Sequence, residues 1–225
     1  MNFDKTYYDT LNSIQPINEG KFKSLVASGL MAGSVASGAN LPNPQTQNPP
    51  TQTHTVQQSH SDDAIVRYIS KFTKNAEASG RARLTAYTCP TGHLTIGYGT
   101  NIESTHNANE LKRMGYTVSA VRRKAQNISK PDAERLLEFG LRVAIADAKQ
   151  FLPNFDSQPI VVKGILTDMA YNLGLTKLNK FEDMREALMN YDYSKASDEM
   201  VDSLWYDQVG TRSKKLANLM RKVRR

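Results

Sequence analysis

The sequence predicts an α+β fold in which a small β-hairpin is followed by a longer series of helices. Apolar and polar residues alternate on both sides of the turn signal Pro90–Gly92, which is typical of two paired strands. Beyond this segment, apolar residues recur at the three- and four-residue spacing of amphipathic helices. With 225 residues, of which 39% are hydrophobic, the chain is long enough to bury one substantial core.

The first sixty residues differ in composition from the rest. Residues 41–61 are rich in Pro, Gln and Thr, and we expect them to form a linker because they have too few apolar side chains to offset the entropy of folding. Within the preceding segment, residues 1–40, the uncharged run Ser24–Ala39 is too short to predict a membrane span with 1.5 Å rise per residue. Three interpretations of this run stay open: an export or membrane address, a virion-packaging segment, and low complexity.

The folded domain is predicted to cover residues 62–225. Its first helix begins at Asp62 or Asp63 and leads to Glu77, which is the only carboxylate between Asp63 and Glu103. Two strands follow, around Leu84–Thr88 and Leu94–Tyr98.

The remainder of this domain is predicted to be helical. Ser129 has the character of a helix cap, and the apolar stripe that follows it ends at Pro153. The most apolar helix is expected at Ile160–Leu173, because Gly174 is a favourable residue after a helix end. Further helices are predicted at Phe181–Met189, Ser194–Leu204 and Arg212–Val223.

Three ordered segments resemble a known family. The active-site lobe of the phage-type lysozymes, glycoside hydrolase family 24 of the T-even phage lysozyme type, has an acidic residue at a helix end, an Ala-Tyr strand, an Asp or Cys, a turn Gly and the run Thr-Ile-Gly-Tyr-Gly. The corresponding residues here are Glu77, Ala86–Tyr87, Cys89, Gly92 and Thr95–Gly99. Asp168–Gly174 is similar to the family's cleft-lining helix end, and Trp205–Arg212 is similar to its Trp-Tyr-x-Gln-x-x-x-Arg segment.

The resemblance implies a lysozyme-like fold, with a hairpin lobe and a larger helical lobe flanking a substrate cleft. It also implies a muramidase that hydrolyses the β-1,4 bond between N-acetylmuramic acid and N-acetylglucosamine in bacterial peptidoglycan, without a cofactor. One group must protonate the glycosidic oxygen and another must act on water or the sugar cation. The family match assigns these roles to Glu77 as general acid, Cys89 in the position of the family's Asp, and Thr95 as a residue that orients water.

Three further residues are expected to bind substrate or to hold the acid. Tyr171 and Asn172 would line the cleft, and Arg212 is similar to the family's arginine that pairs with the acidic residue. Each of the six residues also has an ordinary structural interpretation, such as a helix-end glutamate, a small buried cysteine or a surface arginine. Eleven residues separate Glu77 from Cys89, where the family usually has eight, so Ala78–Arg83 must take up the extra length.

Charge and cysteine content narrow the classes of partner. The formal net charge is +7, and seven basic residues with no acid lie between Arg212 and Arg225. Two interpretations of this segment stay open: an ordinary solvated helix face, and a surface that attracts an anionic partner such as a wall polymer or a membrane. A nucleic acid is disfavoured as the partner because no aromatic residue interleaves the run. One cysteine and four scattered histidines predict neither a disulfide framework nor a metal site.

The sequence therefore predicts a monomeric endolysin that acts on the cell wall, either in the periplasm of an infected host or from a virion. Two other classes stay open. A virion-associated or wall-binding module with the lysozyme fold would bind walls without cleaving them. A basic nucleic-acid-binding protein would bind duplex DNA in a strongly salt-dependent manner.

Overall fold

A computed structural model describes residues 53–78, 80–89 and 92–224, including their side chains except those of residues 53–60, 77 and 78. The predicted segment 1–40 and most of the predicted linker 41–61 lie outside the described residues. Among the helices described, none has the length and apolar character needed to cross a membrane.

The first helix, α1, spans Thr53–Ala78. It begins nine residues before Asp62, so the predicted start was too late and the end of the predicted linker is helical. No Pro or Gly occurs between Pro50 and Gly80 to interrupt the helix, which accounts for the longer element. Asp62, one of the two residues at which the helix was predicted to begin, instead lies inside α1 and accepts a hydrogen bond from Lys149 at 2.8 Å.

The sheet has three antiparallel strands in the order β1 (Arg83–Thr88), β2 (Leu94–Gly97) and β3 (Thr100–Asn101). The predicted hairpin is confirmed: Tyr87 pairs with Thr95, and Thr88 pairs with Leu94. The short strand β3 was not predicted, because two residues are too few to show an alternating pattern. It pairs with β2 through Thr95–Asn101 and Ile96–Thr100.

Two short helices, α2 (Thr105–Arg113) and α3 (Val118–Arg122), lead from the sheet to the long helix α4 (Lys130–Phe151). Neither α2 nor α3 was predicted, since α2 has few apolar residues and α3 is only five residues long. The predicted start of α4 is confirmed, because the Ser129 side chain accepts the backbone N–H of Asp132 at 3.1 Å. A 3₁₀ turn at Phe155–Ser157 follows α4.

The apolar helix α5 spans Ile160–Leu173 as predicted and ends at Gly174. It packs against α4 and α1, and the α1 contact is close at Gly164, where a Cβ would lie 2.6 Å from the Tyr68 ring. The core between these three helices is formed by fully buried aliphatic side chains that include Ile65, Ile69, Leu137, Leu141, Ile165, Leu166 and Met169. Packing of this kind supplies most of the hydrophobic stabilisation of a domain.

The C-terminal helices are α6 (Leu175–Leu178), α7 (Glu182–Met189), α8 (Tyr193–Val201), α9 (Leu204–Val209) and α10 (Thr211–Lys222). The single helix predicted over Ser194–Leu204 is wrong, because the chain leaves α8 after Val201 and starts α9 at Leu204. Ser203 causes the break: its hydroxyl donates to the Met200 carbonyl at 2.7 Å and accepts the Tyr206 N–H at 3.2 Å. Mostly helical with one small antiparallel sheet, the fold is α+β and lysozyme-like, as predicted.

Candidate active site

The end of α1 carries Glu77, the predicted general acid, in its last turn. The Glu77 side chain lies outside the described part of the structure. Only residues 79–82 separate α1 from the first strand, so the extra length before Cys89 is taken up by the helix end rather than by a long loop. Gly80 has a φ of +80°, and its N–H donates to the Lys74 carbonyl at 3.2 Å. With eight residues between it and Cys89, Gly80 occupies the spacing at which the resemblance places the acid.

The hairpin turn brings Cys89 and Thr95 to one acceptor. The backbone N–H of Cys89 donates to the His93 carbonyl at 2.9 Å, and the Thr95 hydroxyl donates to the same oxygen at 3.1 Å. Thr95 is only 4% exposed, whereas Cys89 is partly exposed. A hydroxyl that donates its one proton still has lone pairs that accept a hydrogen bond, so Thr95 can accept one from a bound water.

A histidine and a glutamate form a side-chain pair beside this turn. His93 Nδ1 lies 3.0 Å from Glu103 Oε2, and both side chains are about half exposed. The Glu103 backbone N–H donates to the Asn101 side chain at 2.8 Å, which links the pair to β3. Neither His93 nor Glu103 was predicted as a site residue, since a histidine and a glutamate ten positions apart have no recognisable motif spacing.

Arg212 lies in the first turn of α10 and forms a two-pronged ion pair. Its Nε donates to Asp168 Oδ2 at 2.8 Å, and its Nη2 donates to Asp168 Oδ1 at 2.7 Å. The Thr73 hydroxyl donates to Asp168 Oδ1 at 3.0 Å. Asp168 and Thr73 are fully buried, and the Arg212 side chain is 9% exposed. The predicted contact of Arg212 with Glu77 stays a prediction, and the structure adds Asp168 as a partner.

Tyr171 connects the helical lobe to the sheet. Its hydroxyl donates to the Tyr98 carbonyl at 3.1 Å and lies 3.2 Å from the Thr100 hydroxyl. Space for the ring depends on Gly140 of α4, where a Cβ would lie 2.8 Å from Tyr171 Cε2. Thr100 pairs with Ile96, which follows Thr95 in β2. The hydroxyl of Tyr171 therefore contacts the strand that pairs with the one carrying Thr95.

Asn172 is exposed, and its side-chain oxygen accepts the indole N–H of Trp205 at 3.2 Å. Trp205 is 4% exposed and makes an edge-to-face contact with Phe181, with the ring centroids 6.2 Å apart. Trp205 is therefore a core residue rather than a sugar-stacking surface. The side-chain oxygen of Asn172 is therefore occupied by Trp205, while its amide NH₂ group is a hydrogen-bond donor on an exposed residue.

The six predicted residues thus lie in three parts of the fold. Cys89 and Thr95 share the turn of the hairpin, whereas Tyr171, Asn172 and Arg212 lie on α5 and α10. Glu77 lies on α1, four residues after Thr73, which hydrogen-bonds the Asp168–Arg212 pair. Sequence reasoning did not assign a role to Asp168 itself. The sequence did contain one indication of such a role: Asp168 is the only carboxylate in the most apolar helix, and a buried charge is rare unless it is paired.

Three groups with shifted pKa values lie elsewhere. Hydrogen bonds from Ser129 and Tyr116 lower the pKa of Asp132. Burial raises the pKa of Asp147 despite the nearby charge of His106 and a hydrogen bond from the Leu175 N–H. Burial lowers the pKa of Lys163.

A surface depression of about 370 Å³ lies between α1 and α4, lined by Arg67, Lys71, Lys74, Gly80 and Glu138 among others. Of the six predicted site residues, none of the five with described side chains lines it. Within the described residues, no group of three or more His, Cys, Asp or Glu side chains is arranged to hold a metal ion. The absence of a metal site from the whole chain stays a prediction.

Comparison with known families agrees with this arrangement. A family model described as phage lysozyme matches residues 77–225. The match begins at Glu77 and includes the hairpin and every helix from α2 to α10. It implies a glycosidase that hydrolyses bacterial peptidoglycan.

Proposed function

Because the chain belongs to the phage lysozyme family, we propose that it is an endolysin that cleaves the β-1,4 bond between N-acetylmuramic acid and N-acetylglucosamine. The observation that carries this proposal is the juxtaposition of Cys89 and Thr95 at the hairpin turn, next in the chain to the helix that carries Glu77 in its last turn. An acid on one side of a glycosidic bond and a water-activating group on the other are the minimum requirement for this hydrolysis.

In the proposed reaction, the protonated Glu77 carboxyl donates its proton to the glycosidic oxygen as the bond to the anomeric carbon breaks. Water attacks this carbon from the opposite face, and the Cys89 thiolate accepts the proton that the water loses. The Thr95 hydroxyl accepts a hydrogen bond from that water and orients it. Transfer of one proton from Cys89 back to Glu77 through solvent restores both groups, and attack from the opposite face inverts the anomeric configuration.

The basic surface is proposed to retain the enzyme on its substrate. Lys214, Lys215 and Lys222 are exposed on α10, opposite the buried face that carries Leu216 and Met220. Peptidoglycan carries carboxylates on its peptide stems, so a cationic face would raise the local concentration of the enzyme at the wall. The same face would give weak contacts with other anionic surfaces, including membranes.

The test compares the full-length wild type with Glu77→Gln and with the control Glu186→Gln, which changes an exposed carboxylate on α7. Solubilisation of purified peptidoglycan and the appearance of muramic acid reducing ends are measured. We expect Glu77→Gln to abolish both, because an amide cannot donate the proton, and Glu186→Gln to retain both. Undiminished cleavage by Glu77→Gln would contradict the assignment of the acid.

A second candidate function is a wall-binding or virion-associated module that keeps the fold without catalysis. It is favoured by Gly80, which stands at the family's spacing for the acid, and by Cys89 in place of an aspartate. Such a protein would sediment with purified walls, and neither the wild type nor any variant would release reducing ends. The same experiment therefore separates the two functions.

A further inference from the structure

A fully buried carboxylate joins three helices beside the proposed site. Asp168, on α5, accepts two hydrogen bonds from Arg212 of α10 and one from Thr73 of α1. Thr73 and Arg212 are 95 and 44 positions away from Asp168 in the chain. The contact thus fixes segments that local sequence does not bring together.

Stability alone is a poor explanation for a charge at this position. Removing a carboxylate and a guanidinium from water carries a desolvation cost, and well-packed apolar residues of similar volume often give an equally stable core. What an apolar core cannot supply is orientation. A carboxylate that accepts two parallel N–H bonds fixes both the position and the plane of the guanidinium.

The third hydrogen bond, from Thr73, connects the Asp168–Arg212 pair to the helix that carries Glu77, the proposed acid. Thr73 precedes Glu77 by four residues, about one turn of helix, so the two positions share a face of α1. Because the Thr73 hydroxyl is held by a buried carboxylate, it restrains α1 about one turn before its end at Ala78, and Gly80, with a φ of +80°, follows that end. The Asp168 carboxylate thereby binds both the last turns of α1, through Thr73, and the first turn of α10, through Arg212.

We propose that Asp168 is a positioning residue of the glycosidase, which holds Arg212 and, through Thr73, the end of α1 in a fixed relation. This inference rests on the proposed function, because its catalytic consequence requires Glu77 to act as the acid. Asp168 itself is fully buried, so its side chain presents no surface to a substrate. Its effect on the reaction is exerted through the groups that it orients.

The decisive variant is Thr73→Val, which removes the hydroxyl and nearly preserves the side-chain shape. Thr73→Ser, which restores a hydroxyl, is the conservative variant. Thr167→Val is the matched control, because Thr167 is equally buried but its hydroxyl donates only to the Lys163 carbonyl of its own helix. Hydrolysis of soluble glycan chains and amide hydrogen exchange are measured on the full-length chain.

We expect Thr73→Val to lower kcat by about 10-fold to 100-fold with little change in KM, since small displacements of a catalytic group have effects of this size. Amide exchange at residues 74–78 should be faster by about 10-fold because the helix end opens more often. Thr73→Ser should restore most of both properties, and Thr167→Val should change neither.

Wild-type kcat together with wild-type exchange in Thr73→Val would overturn the proposal. A fall in kcat that Thr167→Val reproduces would also overturn it, because the effect would then be one of general stability. If the wild type releases no reducing ends, the proposed function fails. Exchange at residues 74–78 then decides whether Asp168 orders the end of α1.

Discussion

The two ends of helix α10 each carry an arginine paired with an aspartate, yet their surroundings are opposite. At its start, Arg212 and Asp168 have side-chain exposures of 9% and 0%. At its end, Arg221 and Asp198 have exposures of 48% and 59%. Removing a buried partner leaves an uncompensated charge in the low-dielectric protein interior, whereas removing an exposed partner leaves a charge that water stabilises. The two pairs have the same chemistry, so the difference in burial decides how much the loss of one partner lowers the free energy of unfolding.

Asp168→Asn should have the largest effect. The amide keeps the volume of the side chain but leaves the Arg212 guanidinium buried without its counter-charge, so we expect a loss of about 3–5 kcal/mol in the free energy of unfolding. Urea denaturation at pH 7 measures this value. A loss below about 1 kcal/mol would show that water reaches the guanidinium and that the ion pairs at the two ends of α10 contribute similarly to stability.

The double variant Asp168→Leu with Arg212→Met is the control for this experiment. Both charges are removed together, so most of the lost stability should return. Activity should stay low, because neither residue can then orient the site. Recovery of stability without recovery of activity would separate the two contributions of the buried pair.

An intermediate effect is expected for Tyr116→Phe. Asp132 is 22% exposed in its pair with Arg135, and the Tyr116 hydroxyl donates to its carboxylate at 2.7 Å. Hydrogen bonds from Ser129 and Tyr116 hold the folded-state pKa of Asp132 below its ordinary 3.8, so their stabilisation is present above that pH and is lost as the pH falls through the folded-state value.

The Tyr116→Phe variant should therefore lose about 1 kcal/mol at pH 7. The difference from the wild type should shrink as the pH falls below 3.8, and the pKa of Asp132 should rise toward that value. Denaturation between pH 7 and pH 3, together with an NMR titration of Asp132, provides the measurement. A difference that is constant across this range would exclude the carboxylate as the source of the effect.

The smallest effect is expected for Asp198→Asn, at the exposed end of α10. Both side chains are hydrated with or without their partner, so the change in stability should be about 0–0.5 kcal/mol and should decrease further in high salt. The same urea titration at low and high ionic strength tests it. A loss comparable to that of Asp168→Asn would mean that exposure does not govern these pairs.

Local pattern was enough to predict the elements whose limits are set by their own residues. Helix α5 was predicted to the residue because the most apolar segment of the chain ends at Gly174, and the start of α4 was predicted from the cap at Ser129. The break at Ser203 was missed, because a serine with two hydrogen bonds to its neighbours looks from sequence like any polar helix residue. The early start of α1 was missed because a Gln- and Thr-rich composition does not indicate that a helix extends through it.

The site followed the same rule. Family motifs selected Cys89 and Thr95 as candidates, and their catalytic roles stay predictions. The motifs did not indicate the His93 carbonyl, the acceptor that the two residues have in common. Asp168 could not be assigned as the partner of Arg212, because no local rule connects positions 44 residues apart. Long-range pairings of this kind depend on how three helices pack, which the order of residues specifies only through the completed fold.

The contact between Tyr171 and Gly140 has a consequence for how this sequence can vary. A methyl group at position 140 would lie 2.8 Å from the ring, so any side chain there is incompatible with the present place of Tyr171. A relative that acquires alanine at position 140 must shorten residue 171 or lose the tie to Tyr98 and Thr100. The two positions should therefore change as a pair among descendants of this chain, and the glycine should be retained wherever the tyrosine is.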